Sequence, residues 1–227
     1  MRSAASNLNT MTLMWHQYFE LFSLLCAVVF ARGLNSFGIA VIIPLLLLDN
    51  IAEIVGVNFH YFGWKDNYFV YSIYLLASTP LILWLFGTMI GGSPRQRKRY
   101  LWISIAIQAF ILVNYCFIQG PADFDTYSFL LITTAEIVLC CLVLARLAIN
   151  KDDQAGLLRD PYFWINATTL LFNLVSLILL GALKFIALNH LEIRHKNLYL
   201  AILPAANALL YTGYSYAFLL CHLQARK

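Results

Sequence analysis

Apolar runs of roughly twenty residues alternate along the chain with short polar breaks, and the polar residues inside the runs recur every three or four positions. An α-helix rises 1.5 Å per residue, so such a run matches the hydrocarbon thickness of a bilayer. The pattern predicts seven helices, at about 15–34, 37–57, 68–90, 101–119, 127–149, 161–187 and 198–222. Helix breakers mark the ends. Gly91-Gly92-Ser93-Pro94 closes the third helix, Gly120-Pro121 closes the fourth, and Asp160-Pro161 opens the sixth, where proline suits the first turn. The expected fold is an all-α polytopic integral membrane protein. It would be a seven-transmembrane-helix bundle, forming one transmembrane domain over residues 1–227.

Composition supports lipid as the solvent. Charged residues make up 11% of the chain and hydrophobic ones 61%, whereas a soluble domain carries about 25% charged residues. The net charge of +4 is not a nucleic-acid footprint, because the bases are not spread over a face. Four of them, Arg95, Arg97, Lys98 and Arg99, sit together and read as a cytoplasmic loop able to meet lipid headgroups or an acidic partner. With that loop inside, Arg32, Arg146, Lys151, Arg159, Arg226 and Lys227 also fall inside. Arg2, Lys65, Lys184, Arg194 and Lys196 fall outside. The excess of inner bases places the N-terminus outside and the C-terminus in the cytoplasm. The first apolar run ends at Ala31-Arg32-Gly33 without a cleavage site, and is expected to be a retained helix. Cys26, Cys116, Cys140, Cys141 and Cys221 show no CxxC spacing and read as small apolar residues.

The polar residues within the runs carry the functional signal. The second helix has Asp49, Glu53, Gly56 and His60 on one face, and the sixth has Asn166, Thr169, Asn173 and Ser176. The third offers Tyr71, Tyr74 and Ser78, the fourth Ser104, Gln108 and Tyr115. The fifth offers Thr133, Glu136 and Cys140, and the seventh Asn207, Tyr211 and Tyr214. Neutral groups of this kind are ordinary contacts between helices, worth about 0.6 kcal/mol each. Acids are different, since a carboxylate near the bilayer centre costs about 2.5–3.5 kcal/mol on insertion scales. Glu20, Asp49, Glu53 and Glu136 therefore ask for a polar surrounding, with Lys184 as a candidate counter-ion. The candidate ligand-binding set is Asp49, Glu53, Glu136, Asn166, Asn173 and Tyr211, facing a polar cavity. No catalytic set, cofactor motif or metal motif stands out; His16, His60, His190 and His195 lie at rims without HxxxH or HExxH spacing. Ala52-Glu53-Ile54-Val55 recurs as Ala135-Glu136-Ile137-Val138, which would suit an inverted repeat.

Three segments carry a resemblance: Glu53-Ile54-Val55-Gly56, Tyr71-Ser72-Ile73-Tyr74, and Asp160-Pro161-Tyr162-Phe163-Trp164-Ile165-Asn166. On these the chain resembles a group of small, largely uncharacterised seven-helix membrane proteins of Bacteroidota-type bacteria. That group is similar to the membrane sensor segments of some histidine kinases. No activity comes with the resemblance, and if it implies sensing, the output passes to another protein. The leading reading is a non-enzymatic module of a bacterial cytoplasmic membrane that senses, binds or scaffolds. Its partners would be membrane lipids and a separate cytoplasmic or membrane signalling protein, with no role for nucleic acid. A small transporter using the acids is the alternative, and an enzyme acting on lipid comes third. A retinal protein is excluded, because residues 198–222 contain no lysine for a Schiff base.

The topology is tested by cysteine labelling in a cysteine-free background. In intact cells, cysteine at Ser93 should resist a membrane-impermeant thiol reagent and cysteine at Ala122 should react. The opposite pattern contradicts the assignment.

Overall fold

A computed structural model of the chain describes residues 11, 13–91, 94–120, 125–150, 154–188 and 194–226, with the side chains of 94–97, 154–155, 181–188 and 194–200 outside that description. Ser93 and Ala122, the two labelling positions, lie outside the described residues. Among the described residues there is no strand. The helices are α1 (Gln17–Val29), α2 (Ala31–Ser36), α3 (Ile42–Val57), α4 (Tyr68–Met89) and α5 (Pro94–Val113), followed by α6 (Thr126–Asn150), α7 (Gln154–Leu158), α8 (Pro161–Leu188) and α9 (Arg194–Gln224). A 3-10 turn at Phe59–Phe62 follows α3, and a π-helical turn at Asn114–Ile118 extends α5. Four helical stretches are long and apolar enough to cross a membrane: Tyr68–Met89, Lys98–Ile118, Thr126–Asn150 and Pro161–Leu180.

Of the differences from the sequence pattern, two have a clear physical cause, while the second helix starts at Ile42, the last at Arg194, and a short helix at Gln154–Leu158 is added. The first helix is not continuous; it bends at Phe30 (φ −97°, ψ 16°) into α1 and α2. The bend lets Gly33 press on the backbone of α9, where a Cβ would stand 2.8 Å from the nitrogen of His222. The fourth helix begins at Pro94 instead of about 101, so Arg95, Arg97, Lys98 and Arg99 form its first turns and are not a loop. Proline fits the first helical position, and Arg, Gln and Lys are strong helix formers. Only the lack of apolar side chains hides this start. Asp160 caps α8 as expected, its Oδ1 accepting the Tyr162 N–H at 2.8 Å.

The helix contacts close a ring. α1 packs on α3, α3 on α4, α4 on α6, α6 on α8, α8 on α9, and α9 back on α1. α5 stands outside the ring, against α4. The tightest approach joins α8 to α9, where a Cβ at Gly213 would collide with Cγ2 of Thr168. The ends that carry Arg32, Arg99, Arg146, Arg159 and Arg226 converge. Gly91 lies beside the Arg146 guanidinium, Gln224 Nε2 donates to the Arg159 carbonyl at 2.6 Å, and Tyr162 Oη donates to the Phe37 carbonyl at 2.6 Å. At this end the ring is filled by one apolar cluster that includes Leu34, Ile39, Ile42, Leu46, Val143 and Phe218.

Beside the apolar cluster the interior holds many polar side chains, and the outer surface is rich in large apolar ones. Gln17, Glu20, Ser78, Thr79, Asn114 and Asn166 are buried, while Phe117 is 84% exposed, Ile149 79% and Ile178 68%. Hydrocarbon offers no hydrogen bonds, so polar groups turn inward and apolar ones outward.

Pro80, inside α4, shows how a broken backbone bond is repaired. Proline has no N–H, which frees the carbonyl four residues earlier, at Leu76. Gln108 of α5 donates its Nε2 to that carbonyl at 3.2 Å. Gln108→Leu should therefore destabilise the protein by about 1–3 kcal/mol in detergent unfolding, the cost of an unmet polar group. In a Pro80→Ala background the same change should cost much less, because alanine at that position supplies the missing N–H. Equal costs in the two backgrounds contradict this coupling.

Candidate functional site

Above the apolar cluster the ring does not close on itself. It surrounds a cavity of about 540 Å³, to which each of its six helices contributes side chains. No described residue of α5 lines it, in keeping with that helix's place outside the ring. The lining runs from Asn67, Leu180 and Leu203 at one end to Met89 and Ile165 at the other.

Four acids meet there. Glu20 comes from α1, Asp49 and Glu53 from α3, and Glu136 from α6. Glu20 is within electrostatic reach of Glu53 and Asp49, and Glu136 of Asp49. The spacing on α3 explains the pairing: four residues apart, Asp49 and Glu53 lie one turn from each other on one face, about 6 Å along the axis. Glu20 sits in the first turn of α1, and α1 packs directly on α3. No lysine, arginine or histidine is among the described residues that line the cavity. The side chain of Lys184, the expected counter-ion, lies outside the described residues.

Hydroxyl and amide groups from the other helices serve the acids. Asn173 of α8 donates its Nδ2 to Glu136 Oε2 at 2.7 Å. Tyr211 of α9 points its hydroxyl at Asp49 Oδ2, 3.4 Å away, and the Tyr74 hydroxyl of α4 lies near the same carboxyl. Thr169 and Tyr214 share a hydroxyl hydrogen bond of 2.8 Å nearby. Glu20 differs from the rest. It is 1% exposed, and neither of its carboxyl oxygens is placed for a hydrogen bond. The Tyr211 hydroxyl comes near it as well, but a hydroxyl has one proton to give, and the aligned acceptor is Asp49. Gly56 completes the acidic face of α3 by making room. Its missing Cβ would stand 2.8 Å from the hydroxyl of Tyr71, which folds over it. The Gly56 carbonyl accepts Asn67 Nδ2 at 2.9 Å, tying the end of α3 to the start of α4.

Of the candidate residues, Asp49, Glu53, Glu136, Asn173 and Tyr211 line the cavity, and Asn166 does not. Asn166 shares a helix face with Asn173 but lies two turns away, next to Ile165 at the closed end of the cavity, where it is fully buried in the packing. There its Nδ2 bonds the Tyr162 carbonyl at 2.7 Å and Met89 Sδ at 3.3 Å. It ties α8 to α4 and does not reach a ligand. Glu20, Asn207 and Tyr74 belong to the site although the candidate set omits them. Their signal is present in the sequence, since each is a polar residue inside an apolar run. Of the candidate basic patch, Lys98 and Arg99 are exposed and remote from the cavity, and the side chains of Arg95 and Arg97 lie outside the described residues. His60 is exposed at the end of α3, His16 is buried at the start of α1, and the side chains of His190 and His195 lie outside the described residues. Among the described residues no three His, Cys, Asp or Glu side chains are grouped to hold a metal ion.

The acids should make the cavity selective for positive charge. With the native cysteines kept as internal controls, Ala52→Cys places a thiol on the lining beside Glu53. A cationic methanethiosulfonate should modify it at least about tenfold faster than an anionic one, through focusing of the local field. Cys140 and Cys221, both fully buried in the apolar cluster, should stay unmodified. Equal rates for the two reagents contradict an acidic cavity. Comparison with protein-family models, with curated proteins and with solved structures gives no match, so what the cavity holds is read from its own chemistry.

Proposed function

We propose that the chain is a non-enzymatic membrane module whose cavity binds a small positively charged molecule, and that it senses that molecule for a separate signalling protein. One observation carries the reading. Four carboxyl groups line a single cavity in which no described residue supplies a positive charge. Like charges in a low-dielectric interior repel strongly, and a bound cation relieves the repulsion. Unpaired charge in an enclosed space is what a binding site for an oppositely charged ligand presents, which favours binding.

In this reading the helices form seven spans. The bent pair α1–α2 makes the first, and α3, α4, α5, α6, α8 and α9 make the others. The convergence of the arginine-bearing ends supports a cytoplasmic side at the apolar cluster, with the N-terminus outside and the cavity facing out. The basic turns of α5 then lie against the inner leaflet, where anionic lipid headgroups or an acidic partner can meet Lys98 and Arg99. The membrane would be a bacterial cytoplasmic membrane, as the resemblance to kinase sensor segments implies.

A transporter is the second reading, favoured by one feature: the cavity is deep and stopped at one end by the apolar cluster, as in one state of an alternating-access cycle. Calorimetric titration of the protein in lipid nanodiscs with alkylammonium and arylammonium salts separates these outcomes. Binding that Glu53→Gln weakens at least about tenfold, with an unchanged melting temperature, supports the cation site. A lower melting temperature with unaltered binding makes Glu53 structural and contradicts it. Flux of the same salts into proteoliposomes selects the transporter over the sensor.

A further inference from the structure

The cavity has two chemically different parts. The acids and their partners occupy the part nearer the α3–α4 connection. Beyond Asp49 and Glu136 the lining turns apolar, with Leu45, Ile82, Leu85, Phe86, Met89 and Ile165. From Ile82 to Met89 this deep part runs about 10 Å along α4 at 1.5 Å per residue. Among the described residues its polar lining is the Thr169–Tyr214 pair, whose hydroxyls already satisfy each other at 2.8 Å, with the Ser78 hydroxyl at its border. An apolar hollow of this kind gains nothing from a hydrated ion and is filled favourably by hydrocarbon.

Among the buried polar groups without a partner on the lining, Ser78, Ser176 and Glu20, only Glu20 is a carboxyl group. Glu20 lines the cavity, is 1% exposed, and has two unpartnered carboxyl oxygens. Asp49 beside it already receives the hydroxyl of Tyr211, and Glu136 receives Asn173. The unmet demand is therefore on the Glu20–Glu53 side, and it asks for a donor with several N–H groups and a positive charge. A primary ammonium has three such donors. A metal ion is a poorer fit, because the described acids are not grouped as ligands around one point.

We propose that the ligand is an amphipathic organic amine, with its ammonium head on the Glu20–Glu53 side of the acids and its apolar body in the deep part toward Met89. The proposal rests on the cation-binding reading and narrows it to one class. A polyamine would need a second acidic acceptor in the deep part, where the side chains named above offer none. A neutral lipid would leave Glu20 without a donor.

The test is calorimetric titration of the full chain in lipid nanodiscs, with empty nanodiscs subtracted to remove partitioning into lipid. The probes are 4-phenylbutylamine, 4-phenyl-1-butanol, n-butylamine and 1,4-diaminobutane. The amine with the phenyl body should bind tightest, and each of the other three should bind at least about tenfold more weakly, since each lacks the charge or the body. Glu20→Gln should weaken both monoamines alike and leave the alcohol unchanged. Leu85→Ala should weaken 4-phenylbutylamine and leave n-butylamine unchanged. The ranking of the probes on the unaltered protein stands even if a variant fails to fold. If n-butylamine or 1,4-diaminobutane binds as tightly as 4-phenylbutylamine, the amphipathic ligand is overturned and the cation site survives. If no amine binds, or the alcohol binds as well as the amine, the cation site falls with it.

Discussion

A polar group in hydrocarbon has no water to bond, and the whole arrangement follows from that. Backbone groups are satisfied within helices, polar side chains turn inward, and the outer surface is left to residues such as Phe117, Ile149 and Ile178. The constraint also explains local repairs. Pro80 strips the Leu76 carbonyl of its helical partner, and Gln108 reaches across from α5 to replace it. Asn114, fully buried in the π-helical turn, bonds Asp125 and Ser128 at the start of α6 and so holds the α5–α6 corner. In each case a polar group that could have faced lipid is given a partner inside the protein.

The acids are where partners run short. A ring of six helices leaves a space at its centre, and polar faces from all six meet there. Asn173, Tyr211, Thr169 and Tyr214 satisfy part of what the polar lining needs. Glu20 is left over, and the apolar deep part is left unfilled. A fold that needed these residues only for helix association would have neutral groups in their place, since those join helices without the charge. The space and the unmet acceptor together make ligand binding the most economical reading of the site.

Much of this was legible in the chain. The all-helical character follows from apolar runs of bilayer length, and the stripes on α3 and α8 follow from spacings of three and four. Asp49, Glu53, Glu136, Asn173 and Tyr211 stand out because a polar residue inside an apolar run must have a reason. What was not legible depends on contacts between helices. Asn166 and Asn173 look equivalent in sequence, yet only Asn173 opens on the cavity, whereas Asn166, at the closed end, is fully buried against Met89 and the Tyr162 carbonyl. The bend at Phe30 depends on the approach of Gly33 to α9. The start of α5 at Pro94 escapes because a hydropathy pattern cannot see a helix turn made of arginine and lysine. The exclusion of α5 from the ring is likewise a matter of packing, for its stripe of Ser104, Gln108 and Tyr115 resembles the others.

If the ring of helices encloses a water-accessible cavity within the membrane, one face of α8 meets lipid and the opposite face meets water. Single spin labels stepped through residues 168–180 of the protein in lipid nanodiscs test this directly, reading oxygen accessibility and deuterium modulation from heavy water at each site. Two signals of helical period, out of phase, are expected. Oxygen should peak at Leu171, Leu174 and Ile178, which are exposed on the outer surface, and heavy water at Thr169, Asn173 and Ser176, which line the cavity. Heavy-water signals that are absent at those three positions, or that rise and fall with oxygen, would contradict such a cavity.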